Sequence, residues 1–208
     1  MKLVTKAMER AYFAVTDPVT AWLIRWGATP NVITTVGALI VCVSAVAYGL
    51  GGVRLGGALL LLSGVVDTFD GAVARGSGQV SRFGAFYDST LDRVGDGATF
   101  IGIAIYFLRA PGVEYRIESA LLCMVAVLSS LLVSYARARA EGLGLECKVG
   151  IVQRAERLLG LGVPSLLIGA GPGGIVLQVI TALLAIFSTV TVVQRFLYVY
   201  RVTRDAGG

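Results

Sequence analysis

Long apolar stretches, separated by short turns rich in glycine and proline, make up most of this sequence. Six of them are candidate membrane spans, over residues 32–50, 55–75, 84–108, 117–139, 156–170 and 175–200. A helix needs about 20 apolar residues to cross a bilayer, and several of these stretches reach that length. The pattern predicts an all-α membrane protein with six transmembrane helices.

The N-terminal segment has a different pattern. Residues 1–25 mix charges with apolar side chains at roughly helical spacing, at Leu3, Ala7, Ala11, Val15, Val19 and Leu23. This spacing predicts an amphipathic helix lying on the membrane surface, with a solvated helix as the alternative. The predicted organisation is therefore a juxtamembrane helix over 1–28 and a six-span domain over 29–208.

Composition and charge agree with a membrane protein. Hydrophobic residues make up 56% of the chain and the mean hydropathy is +0.79, whereas only 15% of residues are charged, against about 25% in soluble domains. Arg54, Arg109 and Arg116 lie toward one side of the predicted spans, and the other 15 of the 18 lysines and arginines lie toward the opposite side. Positively charged loops face the cytoplasm, so we expect both termini there.

The net charge of +5 thus concentrates on the cytoplasmic face of the predicted bundle. It suits anionic lipid headgroups or phosphorylated substrates. No interleaving of aromatic and basic residues indicates a nucleic-acid partner.

Histidine is absent and the three cysteines have no metal-binding spacing. Neither a zinc site nor a disulfide framework is supported. A general base near neutral pH must then be a carboxylate, lysine, tyrosine, cysteine or bound hydroxide.

Four aspartates interrupt the apolar pattern. Asp67 and Asp70 are three residues apart in the second predicted span, and Asp88 and Asp92 are four apart in the third, so each pair shares a helix face. The short connector predicts that the two helices are antiparallel neighbours and that the pairs face each other near the cytoplasmic side. One charge at a helix centre in the membrane costs about 2.5–3.5 kcal/mol on translocon scales.

Divalent cations would offset that cost. Carboxylate oxygens suit Mg²⁺ or Mn²⁺, and paired metals about 3.5–4 Å apart support displacement at phosphorus. The alternative is a polar network or ion pairs with Arg75, Arg82 and Arg93. Asp96, one turn further along the same face, is a structural residue, a fifth participant or a supporting partner.

Small residues beside the aspartates, at Gly71, Ala74 and Gly84, indicate room for a ligand or close helix packing. Together these positions form the pattern Asp67-x2-Asp70-Gly71-x2-Ala74-Arg75-x8-Gly84-x3-Asp88-x3-Asp92. The pattern is identical to the signature of the CDP-alcohol phosphatidyltransferases, with every fixed position present. By this resemblance the chain is similar to that family over nearly its whole length.

The resemblance implies an enzyme that transfers the phosphatidyl group of CDP-diacylglycerol to an alcohol and releases CMP. It implies two Mg²⁺ ions, or Mn²⁺, bound by Asp67, Asp70 and Asp88 with a contribution from Asp92, which is also the implied base. It further implies a homodimer with an active site facing the cytoplasm. The implied contacts with CDP-diacylglycerol are Asn31, Thr34, Asp70, Gly71, Ala74, Arg75, Ser81 and Gly84.

Five arginines near the cytoplasmic ends of the later spans are candidate ligands of an acceptor phosphate: Arg137, Arg139, Arg154, Arg157 and Arg195. Anchoring by positive charge is the alternative for them. The pattern resembles the phosphatidylinositol phosphate synthases of actinobacteria, which implies inositol 1-phosphate as acceptor. In those enzymes the first basic residue of this cluster is commonly lysine, whereas the corresponding residue here is Arg137.

Two other functions stay open at this point. Glycerol 3-phosphate, the acceptor of a phosphatidylglycerol phosphate synthase, also carries a phosphate for the arginines. A membrane cation transporter or channel would explain aspartates within spans, but not the spacing of the small residues and Arg75.

Overall fold

The computed structural model describes residues 16–205, and this part of the chain is helical apart from short connections. The helices are α1 (16–25), α2 (Pro30–Gly49), α3 (Val53–Gly76), α4 (Arg82–Arg109), α5 (Arg116–Glu141), α6 (Arg154–Leu167) and α7 (Ile175–Asp205), with a 3-10 turn at Pro172–Gly174. The ends of α2 to α7 differ from the predicted segments by at most five residues. Of the predicted surface helix, residues 1–15 lie outside the described part, as do residues 206–208.

Within residues 16–205, four helices are long and apolar enough to cross a membrane: α2, α3, α5 and the stretch from Pro172 through α7. The chain is therefore a membrane protein. The other two of the six predicted spans fall short for different reasons. α4 contains four charged side chains between its terminal arginines, at Asp88, Asp92, Arg93 and Asp96, and α6 has only 14 residues. A helix of that length spans about 21 Å, less than the roughly 30 Å hydrocarbon core. Six spans therefore remain a prediction.

Helix α2 lies between α3 and α4. Both pack along α2 but make almost no direct contact with each other, which corrects the expectation that they are packed neighbours. Small residues let the helices approach α2 closely, as where Gly102 of α4 meets the backbone of Ala45. Ser44 of α2 also donates a 2.7 Å hydrogen bond to the Gly56 carbonyl of α3. The separation of α3 from α4 leaves space between the two aspartate pairs.

The hydrophobic core fills only one half of the bundle. Its fully buried members include Tyr48, Ile103, Phe107 and Leu177, all far along the helices from the aspartates. α6 packs on α3 in this half, and α5 joins α4 to α7. The aspartate end contains the two cavities described below.

We expect Gly57→Ala to destabilise the protein, because a methyl group there would lie 2.7 Å from the backbone nitrogen of Leu166 and 2.8 Å from the Gly162 carbonyl oxygen. Overpacking against rigid backbone costs about 1–3 kcal/mol. The measurement is the thermal midpoint in detergent. Gly97→Ala is the matched control, since its methyl group would meet nothing within 4 Å and alanine favours a helix. Equal midpoints for the two variants would contradict the close α3–α6 contact.

Candidate active site

Asp70 is held in one orientation by its neighbours. Thr34 of α2 donates a 2.7 Å hydrogen bond to Asp70 Oδ2, and the Gly71 backbone N–H donates a 2.5 Å bond to Oδ1. The residue is 9% exposed. Because each oxygen has a donor, the carboxylate is fixed between α3 and α2 before any ligand binds.

Asp67 and Asp92 share one cationic partner. Arg154, the first residue of α6, places its Nη2 2.6 Å from Asp67 Oδ2 and 2.9 Å from Asp92 Oδ1. On the α2 side, Gly37 leaves room for Asp67, since a methyl group there would lie 2.5 Å from Asp67 Oδ1. Arg154 thus links the carboxylates of α3 and α4 across the gap between these helices.

The donor set suits a hard divalent cation. Among the described residues, no three carboxylates or thiols already converge tightly enough to form a ready ligand cluster. Asp67 Oδ2 is nevertheless buried, and Asp70, Asp88 and Asp92 add carboxylate oxygens at the same gap. Arg154 supplies one positive charge to these four carboxylates, and buried charges are expensive unless they are compensated. These four residues therefore fit a divalent metal.

A cavity of about 300 Å³ opens between α2, α3 and α4. All eight residues predicted to contact the nucleotide-lipid line it, together with Asp88: Asn31, Thr34, Asp70, Gly71, Ala74, Arg75, Ser81 and Gly84. Ser81 caps α4 by accepting a 2.9 Å hydrogen bond from the Gly84 N–H. We call this space the donor cavity.

A larger cavity of about 580 Å³ lies between α4, α5, α6 and α7. It is lined by Asp88, Asp92 and Asp96, and by four of the five predicted arginines: Arg137, Arg154, Arg157 and Arg195. Arg139 is exposed and does not line it. We call this space the acceptor cavity; it shares Ala85 and Asp88 with the donor cavity.

The four lining arginines differ in their partners. Arg137 pairs with Glu141 at 2.8 Å near the surface, and Arg154 pairs with two aspartates as described. Arg195 is 2% exposed and donates to two backbone carbonyls, from Nε to Val149 at 2.9 Å and from Nη1 to Val133. Within residues 16–205 it has no carboxylate partner, unlike Arg137, Arg154 and Arg157.

Arg157 and Asp96 form a buried pair that the sequence did not predict. Arg157 Nη2 lies 2.6 Å from Asp96 Oδ2, and Ser130 donates a 3.1 Å hydrogen bond to the same oxygen. The alternative that the aspartates pair with Arg75, Arg82 and Arg93 does not hold in the described region. Arg93, for example, donates a hydrogen bond to the Ser89 carbonyl. The aspartates are paired from α6, which charge spacing along α3 and α4 cannot reveal.

The loop from α5 to α6 borders the acceptor cavity at Gln153. Cys147 in this loop is fully buried, and the Val152 N–H donates a 3.1 Å hydrogen bond to Thr191 of α7. Outside the cavity, the adjacent Lys148 lowers the pKa of the exposed Glu146 carboxyl. The loop thereby fixes the Val149 carbonyl that holds Arg195.

Comparison with known proteins gives concordant matches. The model of the CDP-alcohol phosphatidyltransferase family matches residues 27–199. An archaetidylinositol phosphate synthase of Methanothermobacter thermautotrophicus is 40% identical over 81% of this chain and 82% of its own length. A phosphatidylinositol phosphate synthase of Cutibacterium acnes is 38% identical over 90% of this chain and 93% of its own.

Solved structures of a Mycobacterium tuberculosis phosphatidylinositol phosphate synthase have a similar fold. The structure with CDP-DAG bound superposes with a TM-score of 0.80 at 32% identity, covering 90% of this chain and 94% of that one. A second structure of that protein, in complex with manganese and citrate, gives a TM-score of 0.78 at 33% identity, covering 89% of this chain and 88% of that one.

Proposed function

The chain belongs to the CDP-alcohol phosphatidyltransferase family, and we propose that it transfers the phosphatidyl group of CDP-diacylglycerol to inositol 1-phosphate. The products are phosphatidylinositol phosphate and CMP. The observation that carries this proposal is the junction of the two cavities at Asp88. A nucleotide-lipid in one cavity and a phosphorylated alcohol in the other would meet at the metal-binding carboxylates.

The donor cavity binds the CDP part of the lipid. Gly71, Ala74 and Gly84 leave its walls open to the pyrophosphate, and Arg75 lies within reach of a phosphate. Thr34 keeps Asp70 in place from the other side. These residues orient the reacting phosphorus toward Asp88 and the acceptor cavity.

Asp67, Asp70, Asp88 and Asp92 would hold two Mg²⁺ ions, with Mn²⁺ as an alternative. When bound, such ions stabilise negative charge on the phosphoryl oxygens and on departing CMP. The manganese-bound structure of the M. tuberculosis synthase supports a divalent ion here.

Asp92 is the proposed base. It lines the acceptor cavity but not the donor cavity, which is the location expected for a group that serves the attacking alcohol. The acceptor oxygen forms a bond to the β-phosphorus bearing the diacylglycerol, the bond from that phosphorus to the CMP oxygen breaks, and the hydroxyl proton passes to Asp92.

The choice of inositol 1-phosphate has two supports. The archaeal and the bacterial relative are named for different lipids, but both names contain inositol phosphate. The acceptor cavity also offers Arg195, whose charge no carboxylate neutralises among the described residues, as a ligand for a phosphate. Arg137 and Arg154 line the same cavity and complete the proposed phosphate site; Arg139 lies outside it.

We expect Arg195→Ala to raise the acceptor KM about 10- to 150-fold, because the variant loses a charged hydrogen bond to the phosphate, which is worth about 1.5–3 kcal/mol. The KM for CDP-diacylglycerol should stay nearly constant because Arg195 does not line the donor cavity. Arg195→Lys is the matched control: it keeps the charge but not the fork that reaches two carbonyls, so its effect should be smaller. Equal rises in both KM values would argue against a phosphate ligand.

The direct test is CMP release by the protein purified in detergent with Mg²⁺ and CDP-diacylglycerol. Inositol 1-phosphate, glycerol 3-phosphate, free inositol and serine are supplied separately. Release with inositol 1-phosphate alone supports the proposal. Release with glycerol 3-phosphate alone would replace the acceptor but keep the transferase, and cation flux without CMP would favour a transporter.

The cellular setting follows from the same proposal. We place the six-span domain of residues 29–208 in the cytoplasmic membrane, with both termini and both cavities facing the cytoplasm and residues 1–28 along the surface. The supply of CDP-diacylglycerol from membrane lipids fits this location. A homodimer is the proposed assembly.

A further inference from the structure

The two carboxylate oxygens of Asp96 lie in different environments. Oδ2 accepts from Arg157 at 2.6 Å and from Ser130 at 3.1 Å. Oδ1 accepts no hydrogen bond from the described residues, and it is not fully buried. Because Asp96 lines the acceptor cavity and its side chain is 19% exposed, Oδ1 remains accessible from that cavity.

Arg157 holds Asp96 in this orientation. It is 4% exposed, and its Nε and Nη1 are buried without a hydrogen-bond partner. The guanidinium of Arg157 is therefore almost fully desolvated, and within residues 16–205 Asp96 is the carboxylate that lies within ion-pairing distance of it. A buried charge with one counter-ion holds that counter-ion tightly, because separating them leaves an unpaired charge.

We propose that Asp96 is a specificity-determining residue of the acceptor site and that its Oδ1 accepts hydrogen bonds from hydroxyl groups of a phosphorylated polyol. This inference rests on the proposed function and extends it. An ionised carboxylate only accepts hydrogen bonds, so it complements hydroxyl donors and repels a phosphate. Because an ionised Asp96 repels a phosphate, the acceptor phosphate binds toward Arg195, which has no carboxylate partner among the described residues, and the hydroxyl-bearing ring lies toward Asp96.

The central test is Asp96→Asn. An asparagine has one acceptor oxygen, so it serves either Arg157 or the cavity, whereas aspartate serves both. We expect kcat/KM for inositol 1-phosphate to fall about tenfold or more relative to that for glycerol 3-phosphate, which offers fewer hydroxyl groups. The KM for CDP-diacylglycerol and the inhibition constant of inorganic phosphate should not change.

Two further variants separate this role from a structural one. The double variant Asp96→Leu with Arg157→Met removes both charges and both acceptor oxygens of residue 96, and replacing a buried ion pair by apolar residues is often neutral for stability. It should also lack the preference for inositol 1-phosphate. Ser130→Ala removes only a supporting hydrogen bond to Oδ2 and should preserve the wild-type preference. If the double variant regained the preference, or if both acceptors lost activity equally in Asp96→Asn, the inference would be overturned.

Failure of the proposed function would look different. It would appear in the wild-type protein as no CMP release with inositol 1-phosphate. If the wild type used only glycerol 3-phosphate, Asp96 would be judged by the affinity for glycerol 3-phosphate relative to inorganic phosphate. Asp96→Asn should then lower that ratio, and an unchanged ratio would reject the role of Asp96.

Discussion

Replacing Asp92 by asparagine should reduce kcat about 10²- to 10⁴-fold, the range that a positioned general base contributes. Asparagine has nearly the same shape but cannot take a proton. Asp92 lines the acceptor cavity and is absent from the donor cavity, so binding of CDP-diacylglycerol should be nearly unchanged. Single-turnover CMP release and equilibrium binding of the lipid measure the two effects separately.

Asp70→Asn is the matched comparison, because Asp70 lines the donor cavity and accepts from Thr34. We expect that variant to weaken lipid binding as well as turnover. Asp92 also faces Arg154 at 2.9 Å, so thermal midpoints of both variants must be compared with the parent protein. Loss of lipid binding in Asp92→Asn with metal still bound would reject Asp92 as the base.

Removal of divalent metal with EDTA should stop CMP release, and Mg²⁺ or Mn²⁺ should restore it. The physical reason is that four carboxylates face one gap between α3 and α4, and phosphate groups cannot enter that field without cations to offset the repulsion. Activity in rigorously metal-free protein would contradict the two-metal proposal.

A second readout does not depend on activity. Titration of Mn²⁺, followed by electron paramagnetic resonance, should show two sites per chain in the parent protein. Asp67→Asn should weaken at least one site, because it removes the charge of a carboxylate whose Oδ2 is buried at the proposed metal site. Unchanged Mn²⁺ binding in this variant would remove Asp67 from the ligand set, whereas loss of Mn²⁺ binding in Gly97→Ala would indicate a general folding defect.

The local features of this protein could be predicted from sequence because they depend on short-range patterns. Hydrophobic length and glycine-bearing turns predicted α2 to α7 within a few residues. The fixed spacing from Asp67 to Asp92 identified the family that the comparisons support. The residues predicted to contact CDP-diacylglycerol line one cavity because most of them lie close in sequence, around a single turn between two helices.

Contacts between distant helices could not be predicted in this way. The short connector between α3 and α4 suggested a direct pair, but α2 lies between them because glycine and alanine allow it to approach both. The partners of Asp67, Asp92 and Asp96 come from α6, 61 residues beyond Asp96 in the case of Arg157. A single sequence contains no local signal for such pairing.

The sequence by itself determined that this is a helical membrane protein with four aspartates at family spacing, because hydropathy and helical periodicity are properties of neighbouring residues. Only the tertiary structure decided which arginines line the acceptor cavity, and it put Arg139 at the surface and Arg157 beside Asp96. It also decided that the donor and acceptor cavities meet at Asp88. The reason is that the direction of each side chain depends on how α4 to α7 pack, and packing energy is shared among residues far apart in the chain.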